Sequence, residues 1–167
     1  MRKCFCNISA LELYRASGRL APDILHKPRT AKLNDCSVPP RPMLEDDLKR
    51  YGIKTHPCHV LCETKTGHAP RFVARHTHRH PLPARSLIVL NKDTLVVTPE
   101  LLFLELAASR DIDDVELLRI GFELCGTYVL DVSEDSWDGY TGTDAPITSA
   151  KKISTFLERC SGMNGSK

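Results

Sequence analysis

The chain has 167 residues, of which 41% are hydrophobic and 26% are charged, a balance typical of a globular domain in water. This length suits one hydrophobic core, because domains cluster near ~100–150 residues. No apolar run approaches the ~18–20 residues that a membrane span needs, and no long apolar segment follows the basic start to make a signal peptide. We therefore expect one cytoplasmic unit without a membrane partner.

The net charge of +2 is the sum of two unlike halves. Residues 1–85 carry 16 Lys and Arg against 7 Asp and Glu, whereas residues 86–167 carry 7 against 14. All seven histidines lie in the basic half. Such a division is typical of a nucleic-acid-binding face, of two lobes that attract each other, or of charge that is simply solvated.

The N-terminal segment has short helical patterns separated by irregular chain. A helix is predicted over residues 8–20, with Ser9 as its N-cap. Five prolines interrupt residues 21–42, and a brief helix follows at residues 44–51. We predict that residues 1–55 form an irregular wrap with short helices.

Four strands are predicted next. The runs at residues 58–63 and 71–79 flank a turn at residues 65–67, which suggests a hairpin. A second hairpin is predicted from residues 86–90 and 94–98, with a polar turn between two apolar runs. These four strands should share one small sheet.

Three helices are predicted after the sheet. Thr98, followed by proline, is a favourable N-cap for a buried helix over residues 99–109. A second helix is predicted over residues 113–125, where Asp113 and Glu116 form a capping box with Asp113 as the N-cap. A third, amphipathic helix is predicted over residues 148–161. The second helix has an apolar face made of four residues: Val115, Leu118, Phe122 and Cys125.

These patterns together predict an α+β fold, with a small antiparallel or mixed four-stranded sheet covered by the C-terminal helices. Residues 56–162 form the core domain and residues 163–167 a frayed tail. An acidic loop over residues 131–146 contains the single tryptophan, Trp137, which could anchor a partner.

The histidine-rich segment is the first candidate site. His76, His78 and His80 alternate, so on a strand they share one face. His76 and His78, with His59 from the neighbouring strand, could hold zinc. Two features oppose this interpretation: residues 71–85 contain no carboxylate to orient the imidazoles, and the surroundings are cationic. We predict no cofactor, with a zinc site as the alternative.

The arginines of the same segment are the second candidate. An arginine pairs with phosphate through two parallel hydrogen bonds, and the histidines between them would add charge below about pH 6.5. Four residues form this predicted nucleic-acid-binding set: Arg71, Arg75, Arg79 and Arg85. The competing interpretation is a solvated edge strand protected by charge and proline.

Motifs of known enzymes are absent. The sequence has no phosphate-binding glycine loop, no Gly-x-Ser-x-Gly and no Cys-x-x-Cys. The seven cysteines show no regular spacing, and free thiols are expected without an export signal. We therefore favour a non-catalytic protein.

The block from Leu87 to Ala107 resembles one in bacterial AbiEi-type antitoxins and in proteins with a nuclease-like domain of the very-short-patch-repair type. Leu101 replaces the arginine usual in those families, and Glu105 replaces an aspartate. The resemblance covers about residues 55–165. The matching residues are Val97, Thr98, Pro99, Glu100, Leu104, Leu106 and Ala107.

Because these matches are largely structural, the resemblance implies a cellular context rather than a reaction. It implies an accessory module that recognises DNA or a partner protein, such as a toxin or a nuclease domain. A metal-dependent zinc enzyme using the histidine-rich strand is the alternative, and the oligomeric state stays open.

Overall fold

A computed structural model describes residues 2–18, 21–64, 68–130, 139–160, 162–163 and 165. The strands are β1 Lys3–Phe5, β2 Arg29–Thr30, β3 Cys58–Leu61, β4 Val73–His76, β5 Leu87–Val89, β6 Thr94–Val97, β7 Tyr128–Leu130 and β8 Tyr140–Gly142. The helices are α1 Asn7–Ser17, α2 Ala21–Leu25, α3 Arg41–Tyr51, α4 Pro99–Ala107, α5 Asp114–Cys125 and α6 Ala150–Arg159.

Three predictions fall wholly or largely outside the described residues. They are the turn at residues 65–67, the part of the acidic loop that contains Trp137, and most of the tail. None of the helices in the described ranges has the length and apolar character that crossing a membrane requires.

The main sheet is mixed, in the order β2-β5-β6-β1-β3-β4, and β7 and β8 form a separate antiparallel pair. The predicted α+β fold is confirmed. The predicted number of strands is wrong, because the described part of the sheet has six strands rather than four. Both additional strands come from the N-terminal segment.

β1 lies inside this sheet rather than in a surface wrap. It runs parallel to β6, with Phe5 beside Val96, and antiparallel to β3, with Phe5 beside Val60. All three residues of β1 are buried. Lys3 tolerates this burial because its ammonium group pairs with Asp47 of α3, and a buried charge needs such a partner. The N-terminal segment is therefore part of the core.

One of the two predicted hairpins is confirmed. β5 and β6 pair antiparallel, with Ile88 beside Val96. β3 and β4 instead pair parallel, with Leu61 beside His76, so the hairpin predicted there is wrong. Alternation of apolar residues determines which face a side chain occupies but carries no information on strand direction.

α1 begins two residues before the predicted N-cap. Its first residue is Asn7, and the side chain of the N-cap residue Cys6 makes no capping hydrogen bond. Ser9 lies within the helix, fully buried, where its hydroxyl oxygen accepts a hydrogen bond from the His59 backbone N–H at 2.9 Å. Ser9 therefore joins the helix to β3 instead of capping it.

α4 is the central helix and contacts α1, α5 and α6. The Thr98 side chain accepts a hydrogen bond from the Leu101 N–H, which confirms the predicted N-cap. α6 likewise buries Ile153 and Phe156 as its amphipathic pattern predicts.

α5 has the predicted N-cap, Asp113, but not the predicted buried face. Val115, Leu118 and Phe122 are 70%, 59% and 59% exposed. The helix instead turns Glu123 inward, where both carboxylate oxygens accept hydrogen bonds from the Arg15 guanidinium at 2.8–2.9 Å. The buried face of α5 is therefore the apolar stripe that contains Ile120 and Leu124, together with the ion pair that Glu123 makes with a distant segment.

Candidate functional site

A cleft of about 580 Å³ opens at the end of β4. Residues 76–80 form one wall, α4 forms another, and Asn7 lies at the start of α1 beside them. β4 is an edge strand of the sheet, so the segment that continues it is reachable from outside. Gly162 and Met163 also line the cleft, which therefore lies where four separate parts of the chain meet.

Two histidines from adjacent strands are in direct contact beside this cleft. His76 Nε2 lies 3.0 Å from His59 Nδ1, and the two rings stack with centroids 5.0 Å apart. In a hydrogen bond between two imidazoles one nitrogen carries the proton and the other accepts it. At least one of the two imidazole rings is therefore in the neutral form, with no proton on the nitrogen that accepts the hydrogen bond.

His59 is the ring whose surroundings favour the neutral form. Burial lowers the pKa of His59 below its ordinary value of about 6.5, and the neighbouring His76 lowers it further, while Glu105 acts in the opposite direction. His59 is thus suited to accept the shared hydrogen bond.

Glu105 of α4 organises the other side of the cleft. Its side chain is only 7% exposed, and its Oε1 lies 3.1 Å from His78 Nε2. Its Oε2 accepts a hydrogen bond from the Asn7 backbone N–H at 3.0 Å. Asn7 has φ +49°, a left-handed conformation that asparagine tolerates better than most residues. One carboxylate thereby holds both the start of α1 and the loop after β4.

The residues predicted to bind zinc divide into two groups. His59 and His76 come together, as the pairing of adjacent strands suggested. His78 lies beyond β4, which ends at His76, and contacts Glu105 instead. Within the described ranges, no set of three or more His, Cys, Asp or Glu side chains is placed as metal ligands.

The four predicted arginines do not form one row. Arg79 is exposed at the cleft, and Arg71 is exposed in the turn before β4. Arg75 is half-buried in β4. Burial raises the pKa of the Cys62 thiol, and the nearby Arg75 guanidinium opposes only part of that rise. Arg85 lines a different groove, next to α6.

Sequence reasoning missed Glu105 and Asn7. Residues 71–85 contain no carboxylate, and the one that contacts His78 comes from α4, a helix that follows the second hairpin. One signal could have identified it. Glu105 is an acidic residue within the otherwise apolar run Leu101–Ala108, and a buried carboxylate requires a partner.

Comparison of the chain with protein-family models, with curated proteins and with solved structures gives no match.

We predict that the pKa of His59 lies below 6.5 and responds in opposite directions to its two neighbours. His76→Gln should raise it by removing a second imidazole, and Glu105→Gln should lower it further by removing a negative charge. NMR titration of the ring signals measures both effects. A wild-type pKa at or above 6.5 would contradict the burial argument.

The same shift determines how stability depends on pH. Because the unfolded chain binds this proton more readily, the contribution of His59 to the free energy of unfolding is fully present above about pH 6.5. It is lost as the pH falls from there through the lower pKa of the folded state.

Proposed function

We propose that this protein is a non-catalytic accessory module of the AbiEi-like or nuclease-associated kind, and that it binds nucleic acid at the rim of the histidine-lined cleft. The observation that carries the proposal is the exposed pair Arg79 and His80 on a loop that the part-buried contact of His78 with Glu105 holds in place. A fixed loop presents its charges at a small entropic cost.

The positions of the exposed cations support a phosphate ligand. Arg71 precedes the edge strand β4 and Arg79 follows it. Both side chains are exposed, and guanidinium groups match phosphate oxygens in pairs. The basic excess of residues 1–85 adds long-range attraction for a polyanion.

The internal partners of the histidines favour recognition over catalysis. His59 contacts His76, and His78 contacts Glu105, so each of these rings already has a partner within the protein. We interpret these contacts as supports that position the loop. Recognition of a protein, such as a toxin or a nuclease domain, is the other branch of this proposal.

The charge-neutral double variant Arg71→Gln with Arg79→Gln tests the nucleic-acid branch. Fluorescence anisotropy with a labelled DNA duplex at several salt concentrations should show weaker binding. The slope of log Kd against log salt should decrease by about two, because each phosphate contact contributes about 0.9.

The matched control is Lys49→Gln with Lys92→Gln, which removes the same charge from two exposed lysines outside the cleft. It should bind almost as the wild type does. Equal losses in the two double variants would indicate a general charge effect, and no binding by the wild type would leave the protein-recognition branch.

A zinc site is the second candidate function, and the contact between His59 and His76 favours it. Two nitrogens bound to one tetrahedral zinc at ~2.0–2.1 Å are ~3.3 Å apart. The observed separation of 3.0 Å is close to this value. To admit the ion, both rings would have to turn so that these nitrogens face it rather than each other, and water or substrate would supply the other ligands.

Elemental analysis of the purified protein separates the two candidates. The leading proposal predicts no stoichiometric zinc. One zinc per chain, lost in the His59→Gln with His76→Gln variant but retained in the exposed control His80→Gln, would replace it with the zinc alternative.

A further inference from the structure

A second cavity of about 460 Å³ lies between the sheet edge and α6. Three separate segments supply its cations: β2, the turn before β5, and α6. We call this cavity the cationic groove. Five positively charged residues define it: Arg29, Arg85, Lys151, Lys152 and Arg159.

The positive charge of this groove is poorly balanced by its own lining. Among the described residues that line the groove, one is acidic, Glu100. This residue is largely buried, and its carboxylate accepts a hydrogen bond from the Thr148 hydroxyl at 2.5 Å. In the described part of the chain, none of the five cations forms an ion pair. The groove is therefore left to attract an external anion.

The placement of the two lysines is unfavourable for the helix itself. α6 begins after its N-cap Ser149 and has no acidic residue in its first turn. Lys151 and Lys152 occupy that turn, where the helix dipole is positive and acidic residues are preferred. The unpaired N–H groups of the same turn also attract anions. A bound anion would turn this unfavourable arrangement into a favourable one.

Arg85 reaches the groove from a second unfavourable arrangement. Its backbone has φ +65°, in the left-handed region that non-glycine residues seldom adopt. Its side chain is exposed and lines the groove beside α6. Arg85 therefore adds its positive charge to the cationic groove although its backbone has an unfavourable conformation.

The length of the cationic surface fits a polymer better than a single phosphate. Lys151 and Arg159 are eight positions apart in α6, about 12 Å along an axis that rises ~1.5 Å per residue. Each strand of a duplex carries one phosphate per ~3.4 Å of duplex axis, so this distance corresponds to about three to four phosphate spacings along that axis. Thr155, between the two cations, is exposed in the groove and offers a hydroxyl donor.

We propose that the cationic groove is a binding site for the phosphate backbone of a nucleic acid. The inference shares its ligand class with the proposed function and rests on it in that respect, but it uses different residues. It also places Arg85 in this groove, apart from Arg71, Arg75 and Arg79, with which the sequence had grouped it. Because the contacts are to backbone phosphates, binding here should be independent of base sequence.

The decisive variant is Lys151→Glu with Lys152→Glu in the full chain. These acidic residues suit the first turn of a helix, so thermal stability should be unchanged or higher. Binding to a labelled DNA duplex, followed by anisotropy at several salt concentrations, should weaken strongly. The milder variant K151Q/K152Q should decrease the slope of log Kd against log salt by about two, and the K49Q/K92Q control should not.

The outcomes separate this inference from the proposed function. If K151Q/K152Q binds as the wild type does while R71Q/R79Q binds weakly, the groove is overturned and the proposed function stands. If the reverse holds, the groove is supported and the cleft is overturned. Absence of DNA binding by the wild type overturns both nucleic-acid sites and leaves only the protein-recognition branch of the proposed function. Polyglutamate or anionic vesicles that bind as tightly, with the same loss in K151Q/K152Q, would overturn the nucleic-acid assignment.

Discussion

The placement of β1 between β6 and β3 is the constraint on which the rest of the structure depends. This short strand joins the β5–β6 hairpin to the β3–β4 pair, which have no direct pairing with each other. Phe5 is fully buried between its neighbours Val96 and Val60. The end of β1 sets where α1 begins, and hence where the Asn7 N–H meets the Glu105 carboxylate. Without β1 the sheet would divide and the cleft would lose one of its walls.

The cleft and the cationic groove place polar groups on elements that the core holds rigidly. Glu105 and Glu100 lie on the same buried helix, α4. Glu105 faces the cleft, where it contacts His78, and Glu100 lines the groove, where it contacts Thr148. A buried carboxylate without a hydrogen-bond partner is strongly unfavourable, so these contacts restrict how the surrounding loops can be arranged. We interpret α4 as the element that positions both candidate surfaces.

Most local features were predictable from the sequence, the cap at Ser9 being an exception, whereas features set by distant segments were not. The N-caps Thr98 and Asp113 are confirmed because a cap bonds within its own first turn. The parallel pairing of β3 with β4 and the inward turn of Glu123 depend on partners far along the chain. The contact of His59 with His76 could be anticipated, because the two residues lie on strands that are close together in the sequence. The contact of Glu105 with His78 could not, because Glu105 lies on a helix further along the chain. The metal and nucleic-acid hypotheses themselves stay predictions.

Native-state hydrogen exchange at the amides of β1 tests the central claim most directly. If β1 is an interior strand, the amides of Cys4 and Phe5 should exchange only when the whole domain unfolds. Their exchange free energies should then equal the global free energy of unfolding measured with urea. Exchange at these two amides as fast as at a frayed chain terminus would contradict the account, because it would show that the N-terminal segment lies outside the core.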